Sequence, residues 1–150
     1  MSTNPSSTRS RNRSGGWSFV SLGARTIGTN DYRAKVKIAA NGALTLYLVR
    51  VINNAETTLA STNLGADFNY TVGSTLQFKV QATGTSPTTV RAKAWKTSQT
   101  EPAGWQLSTT DATADLQSPG GVGIVAYLTG SATNAPVTYR FDDLQAVATP

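Results

Sequence analysis

The chain has 150 residues and a net charge of +5, enough for one domain with a hydrophobic core. It contains neither cysteine nor histidine, which excludes disulfides, thiol catalysis, histidine general bases and the commonest transition-metal ligand. No apolar run approaches the ~20 residues that cross a bilayer, and residues 1–16 lack the apolar segment of a signal peptide. We therefore expect no membrane insertion and no cleaved leader.

Residues 1–16 (MSTNPSSTRSRNRSGG) are polar and of low complexity, and predict a flexible arm before a domain at 17–150. Arg9, Arg11 and Arg13 supply three of the excess positive charges, since ten basic and eight acidic side chains elsewhere leave +2. Such an arm can neutralise phosphates, but a solvated or protein-docking arm is the more ordinary interpretation. We expect the arginines to serve assembly with other protein subunits, not nucleic-acid binding.

The next element, residues 31–51, predicts a β-hairpin because apolar and polar side chains alternate on both sides of Asn41-Gly42. A two-residue loop there would set the leucines on the lysine face, whereas a three-residue loop from Ala40 to Gly42 matches apolar residues with each other. The predicted pairs are Ile38 with Leu44, Val36 with Leu46 and Ala34 with Leu48. The opposite face then carries Arg33, Lys35, Lys37 and Tyr47.

The rest of the chain predicts short strands at regular spacing, separated by turns rich in Gly, Pro and Asn. They cover residues 17–25, 57–61, 75–82, 88–96, 105–110, 122–129 and 137–147. No stretch has helical periodicity. The pattern predicts an all-β fold, an antiparallel β-sandwich or jelly roll.

The residue types argue against an enzyme. The two glutamates, Glu56 and Glu101, lie far apart in turn-like segments, and no E-x-D-x-x-E pattern sets two carboxylates about one glycosidic bond. A serine nucleophile would lack a histidine partner. No glycine-rich phosphate loop follows a strand and opens a helix.

Aromatic side chains are the candidate ligand contacts, because their faces suit the apolar faces of sugar rings. The candidates are Tyr47, Trp95, Trp105 and Tyr127, with Trp17 a further stacking candidate and with Arg33, Lys35 and Lys37 beside Tyr47. Structural packing is the alternative for Trp95 and Trp105, which bracket one connection and could brace it. Tyr47, on the charged face of the hairpin, is the better candidate for exposure.

Asp142-Asp143 is the sharpest acidic feature. Oxygen-only coordination of Ca²⁺ suits a chain without histidine or cysteine, with Asp31, Asp111 or Asp115 completing the ligand set. The alternative is a strand-end carboxylate that accepts backbone N–H bonds. The sequence is compatible with both interpretations.

Four segments carry a resemblance to a known family: SLGARTIGTNDYRAKVKIAANGALTLYLVRV, ATGTSPTTVRAKAW, EPAGWQLSTTDATADLQSPGGVGIVAYL and SATNAPVTYRFDDLQAV. Together they resemble the concanavalin A-like (laminin-G-like) jelly-roll modules of actinobacterial secreted proteins and of minor tail and other virion structural proteins of their phages. The resemblance implies glycan binding in many members. In some members it implies a structural calcium held by a final-strand acidic residue, which corresponds here to Asp142 or Asp143.

The resemblance implies two classes of function. The first is a phage virion structural, decoration or tail-associated component, released by lysis and able to contact host-surface glycans. The alternative is a secreted carbohydrate-binding module excised from a larger protein. Family members carry further N-terminal strands where this chain has its arm, so we expect the arm or a neighbouring subunit to complete the sandwich and form a homo-oligomer or larger assembly.

Overall fold

The computed structural model describes the backbone of residues 2–6 and the full structure of residues 16–148. In these residues ten strands form two antiparallel sheets of five, which pack face to face as an all-β sandwich. Sheet A has the order β10-β1-β6-β7-β8 and sheet B the order β5-β4-β3-β2-β9. The strands are β1 Ser2–Ser6, β2 Ser18–Ile27, β3 Asn30–Ile38, β4 Leu44–Ile52, β5 Ala55–Asn63, β6 Leu76–Thr83, β7 Thr88–Lys96, β8 Leu107–Asp111, β9 Gly121–Leu128 and β10 Thr138–Asp142; short 3-10 turns span Ala66–Phe68 and Ala114–Leu116.

Strands β3 and β4 confirm the predicted hairpin and its register. Ile38 pairs with Leu44, and the other two predicted pairs, Val36 with Leu46 and Ala34 with Leu48, are present as well. The loop closes with the Gly42 amide donating to the Ala39 carbonyl at 2.9 Å. Gly42 has φ +87°, the left-handed conformation that this loop requires.

Gly42 also joins the hairpin turn to the loop that follows β5. The Tyr70 amide donates to the Gly42 carbonyl at 2.7 Å. A side chain at position 42 would place its Cβ 2.4 Å from the Tyr70 carbonyl oxygen. The turn and the loop thus fit together only because residue 42 has no side chain, and the Tyr70 ring is buried in the core.

The core lies between the inner faces of the two sheets. Because side chains alternate across a strand, every second residue of the hairpin enters it. Tyr32, Ala34, Leu46 and Leu48 are each fully buried, opposite Phe78 of sheet A. The other core residues from sheet A and the loops are Tyr70, Leu76, Val90, Ala92, Ala94, Leu107 and Leu116.

The predicted strands are present, but their bounds differ, and β2 runs two residues past its predicted end at 25. β5 is longer than the predicted 57–61, while β8 and β10 are shorter than the predicted 105–110 and 137–147. Pairing with the edge of β4 extends β5 on both sides of its short apolar centre. The connection before β8 and the segment after Asp142 instead leave the sheets.

Ser2–Ser6 form a strand where a flexible arm is predicted, and residues 7–15 of that arm lie outside the described residues. Ser2–Ser6 forms β1, which pairs antiparallel with β10 along its length and with β6 at Ser2 and Thr3. Strand pairing uses backbone groups, which the neighbouring edges offer to any extended segment. A sequence without alternation, STNPS, therefore gave no signal. The arginines at 9, 11 and 13 lie outside the described residues.

A polar network closes one end of the sandwich. The Tyr32 hydroxyl donates to Asp111 Oδ1 at 2.8 Å, and Arg50 Nη1 donates to Asp111 Oδ2 at 2.9 Å. Gln117 Nε2 donates to the Tyr32 hydroxyl at 3.3 Å. Burial raises the pKa of the Asp111 carboxyl, but hydrogen bonds from Thr113 and Tyr32 and the charge of Arg50 outweigh it, so the pKa lies below the ordinary value.

Within residues 2–6 and 16–148, no helix is long and apolar enough to cross a membrane.

Gly42→Ala should lower the free energy of unfolding by roughly 2–4 kcal/mol, because it adds left-handed strain and forces the Tyr70 backbone away. Urea unfolding measures the change. Gly28 is the matched control, since it also has positive φ (+59°) but nothing within 4 Å of an added Cβ. Gly28→Ala should cost only about 1 kcal/mol of strain. Equal losses in the two variants would contradict the role of the Tyr70 contact.

Stability should fall at alkaline pH through Tyr32. Burial, the hydrogen bond to Asp111 and the charge of Asp111 raise the pKa of Tyr32 to about 12, against 10.0 for an ordinary tyrosine. Above pH 10 the unfolded chain therefore loses this proton before the folded chain does. The contribution of Tyr32 to the free energy of unfolding should be constant below pH 10 and fall by about 2–3 kcal/mol as the pH approaches 12.

The measurement is urea unfolding of the native chain and of Tyr32→Phe at a series of pH values from 8 to about 12. The variant loses a hydrogen bond and is less stable at neutral pH, but the gap between the two proteins should narrow above pH 10. A gap that stays constant would show that Tyr32 does not titrate with a raised pKa.

Candidate ligand-binding face

The outer face of sheet B is the side of β2, β3, β4, β5 and β9 that points away from the core. Because opposite residues of paired strands share a face, the register arranges its side chains in rows. One row runs Tyr127–Phe19–Lys37–Thr45 across four strands, and the next runs Val125–Ser21–Lys35–Tyr47. The alternation that buries the hairpin core therefore places aromatic and cationic side chains together on this face.

Four aromatic side chains form what we call the aromatic belt: Trp17, Phe19, Tyr47 and Tyr127. The Trp17 and Phe19 ring centroids are 6.4 Å apart, edge to face, and those of Phe19 and Tyr127 are 6.2 Å apart. Trp17 is 48% exposed and Tyr127 57% exposed. From β4 to β9 the belt crosses three strand spacings, about 14 Å, which is longer than one sugar ring.

Two lysines of β3 lie among these rings. Lys35 Nζ lies 5.3 Å from the Phe19 centroid and 5.7 Å from the Tyr47 centroid, so its ammonium group bridges the two halves of the belt. Lys37 Nζ lies 3.7 Å from the Trp17 centroid. These are cation–π distances, so the charges and the rings form one continuous surface.

Acidic side chains neutralise part of this charge. Arg33 donates from Nε and Nη2 to the two oxygens of Asp31, at 2.7 and 2.9 Å. Glu56 of β5 lies between Arg33, at 3.6 Å, and Lys35, with which it forms an ion pair. Within the described part of the chain, Lys37 has no carboxylate partner. It is therefore the cation of this face left to interact with a ligand.

A depression of about 410 Å³ lies beside the belt. Its wall combines the aromatic rings of Phe19 and Tyr127 with the Arg33–Glu56–Lys35 ion pairs. The remaining lining residues are Ser21, Val51, Asn54 and Val125. Apolar ring faces next to fixed charges and amide groups are the usual elements of a small-ligand site.

The outer face of sheet A has a different structure. Trp95 is only 4% exposed, and Lys93 Nζ lies 6.0 Å from its ring and 5.2 Å from the ring of Trp105. Glu101 holds the connection in place through ion pairs with Lys93 at 2.6 Å and Lys79 at 2.7 Å. The connection between β7 and β8 thus lies over Trp95. This is the arrangement expected if Trp95 and Trp105 brace the connection.

The structure brings together six of the predicted contact residues, with Trp17 beside Lys37, and separates the other two. Arg33, Lys35, Lys37, Tyr47 and Tyr127 share the outer face of sheet B. Trp95 of β7 and Trp105 of the connection before β8 lie at the outer face of sheet A and pack around Lys93. Phe19 and Glu56 were missed. The position of Phe19 could have been predicted, because it alternates along β2 with the core residues Val20 and Leu22 and therefore points to the outer face.

The acidic pair at the end of β10 is exposed, and Asp142 Oδ1 accepts the Asp143 amide at 2.9 Å. Asp31 and Asp111, two of the further ligands proposed for calcium, are engaged by Arg33 and Arg50. No group of three or more acidic side chains able to hold a metal ion occurs in the described ranges. The local geometry is that of a strand-end carboxylate bound to backbone.

No protein family, no curated protein and no solved structure matches this chain.

Glu101→Gln should release the connection that covers Trp95, because it removes the carboxylate charge that binds Lys79 and Lys93. Hydrogen bonds from these two lysines lower the pKa of the Glu101 carboxyl. We expect a larger fraction of tryptophan fluorescence to become accessible to acrylamide. Glu56→Gln is the matched control, since it removes the corresponding bridging carboxylate from sheet B and should leave Trp95 covered. Equal quenching of Glu101→Gln and the native chain would contradict the brace.

Proposed function

We propose that this chain is a non-enzymatic β-sandwich of the concanavalin A-like jelly-roll type that binds glycans on the outer face of sheet B. Its setting is a surface-exposed structural, decoration or tail-associated component of a phage virion. The observation that carries the glycan proposal is the aromatic belt with its two lysines. The virion setting derives from the sequence resemblance.

Ring geometry supports a carbohydrate ligand. Sugars present C–H faces that stack on aromatic rings and hydroxyls that need polar partners. The exposed rings of Trp17 and Tyr127 offer such stacking surfaces, and the Arg33–Glu56–Lys35 ion pairs offer donors and acceptors beside them. A belt of about 14 Å suits an oligosaccharide that runs across the strands.

Charge supports an acidic sugar within this class. Lys37 has no carboxylate partner among the described residues, and its ammonium group lies over Trp17 at the exposed end of the belt. A carboxylate on a sugar bound beside the Trp17 ring would form a charge-assisted hydrogen bond with Lys37. We therefore propose uronate- or sialate-containing glycans as the preferred ligands.

The second candidate, a secreted carbohydrate-binding module, would use the same face. The two settings differ in the N-terminal segment, which a virion component would use to join its assembly. Replacing Arg9, Arg11 and Arg13 with serine, which keeps the connection between β1 and β2 at full length, should prevent incorporation into particles and leave glycan binding intact in the first setting. A secreted module does not join particles, so in the second setting the same change would have no effect on particle incorporation.

Glycan-array binding of the full chain tests the proposal. Tyr127→Ala should weaken binding at least roughly tenfold, about 1.4 kcal/mol, because it removes an exposed stacking surface from the belt. Tyr47→Ala should weaken it as well. Lys37→Met, which keeps the packing over Trp17 but removes the charge, should abolish the preference for acidic over neutral glycans.

Trp105→Phe is the control, since it changes an aromatic residue of the β7–β8 connection, which lies over the opposite sheet, and should leave the array profile unchanged. Thermal unfolding verifies that each variant is folded. Binding that survives Tyr127→Ala and Tyr47→Ala, or is lost with Trp105→Phe, would place the glycan site elsewhere. Absence of binding to any glycan would contradict the proposal as a whole.

A further inference from the structure

Strand β9 is an edge of sheet B with one free side. It pairs with β2 from Ser18 opposite Leu128 to Thr26 opposite Gly121. No strand pairs with its other side in residues 2–6 or 16–148. Every second backbone N–H and C=O group of β9 therefore points away from the sheet without a strand partner.

This edge lacks the features that normally prevent pairing with another chain. Natural edge strands are short, charged, interrupted by proline, or covered. β9 has eight residues, GVGIVAYL, with no charged residue and no proline. Of the other edges in the described residues, β5 carries Glu56, β10 has five residues including Arg140 and Asp142, and β8 has five residues including Asp111.

The side chains of β9 are also unusually exposed for their type. Val122 is 51% exposed, Val125 42% and Tyr127 57%. They account for three of the seven large exposed apolar residues in the described part of the chain. Isolated apolar side chains on a surface are ordinary, but three on one edge strand mark a contact region.

We propose that β9 pairs antiparallel with β9 of a second copy of this chain, which joins the two B sheets into one continuous ten-stranded sheet about a two-fold axis. Self-pairing brings like side chains close together, so it is opposed wherever an edge carries charge. β9 carries none, and the same edge serves both copies, as a two-fold interface requires.

The pleat restricts the register of this pairing. Opposite residues of an antiparallel pair lie on the same face. The two-fold axis must therefore lie midway between the two copies of one residue, so that this residue pairs with itself. With the axis at Val125, Val125 meets its copy and Tyr127 lies opposite Gly123 of the partner. The tyrosine ring then covers a position without a side chain, a favourable arrangement of aromatic residue and glycine across strands. Ile124 lies opposite Ala126 on the inner face.

Light scattering of the full chain across a concentration series from one to about one hundred micromolar tests the proposal. We expect a mass of two chains, and a mass of one chain for Val125→Lys, because the axis would set two lysines against each other. Thr58→Lys is the matched control: it places the same charge at an exposed position of the opposite edge, β5, and should remain dimeric.

Cross-linking tests the register independently of any destabilisation. The chain has no cysteine, so Val125→Cys introduces a single thiol that should form a disulfide with its copy under mild oxidation, since opposite Cα atoms lie about 4.5–5.5 Å apart. Thr58→Cys should stay monomeric on a non-reducing gel.

A single-chain mass at all concentrations would overturn the proposal. So would a dimer that Val125→Lys leaves intact, or a native dimer in which Val125→Cys fails to cross-link. Glycan binding is measured separately, on the array. A monomer that binds glycans would therefore refute the β9 interface alone, and a dimer that binds none would refute the glycan site alone.

Discussion

The two-residue period of the β3–β4 hairpin is the constraint on which the rest of the structure depends. The inner set, including Tyr32, Val36 and Leu46, is fully or almost fully removed from solvent, and each such side chain contributes roughly 1.5–3 kcal/mol on burial. A slip of one residue would turn this set towards water. Burial of the core therefore also determines that Lys35 and Tyr47 meet on the outer face of sheet B. The candidate site is the reverse side of the core.

The two outer faces illustrate how similar residues give different surfaces. Each sheet has one glutamate that bridges two cations: Glu56 on sheet B and Glu101 on sheet A. Glu101 lies on a long connection, so its ion pairs draw that connection over Trp95 and close the face. Glu56 lies within a strand, so its ion pairs only order Arg33 and Lys35 and leave the neighbouring rings open. The position of a carboxylate in the chain, more than its partners, decides whether aromatic residues are covered.

Much of this arrangement could be predicted from sequence, because it follows from local alternation. The nine strands after residue 16, the hairpin register and the shared face of Arg33, Lys35 and Lys37 are of this kind. β1 could not be predicted, since its place depends on the backbone edges of β6 and β10 and not on its own side chains. Nor could all the neighbours of Tyr47 be predicted, because Phe19 and Tyr127 come close to it only through the order of strands in sheet B. Pairing order is a property of the whole fold.

The turns at the two ends of β3 differ in how much change they tolerate. At Gly42 the backbone touches Tyr70, and the turn is joined to a second loop. At Gly28 an added atom would meet nothing within 4 Å, and the turn between β2 and β3 projects from the sandwich. Insertions are accepted where backbone is exposed and unconnected. A peptide tag, a fluorescent protein or a fusion partner could therefore be inserted at 28–29 without disturbing the sheets, and it would stand at the end of the sandwich opposite the Gly42 turn.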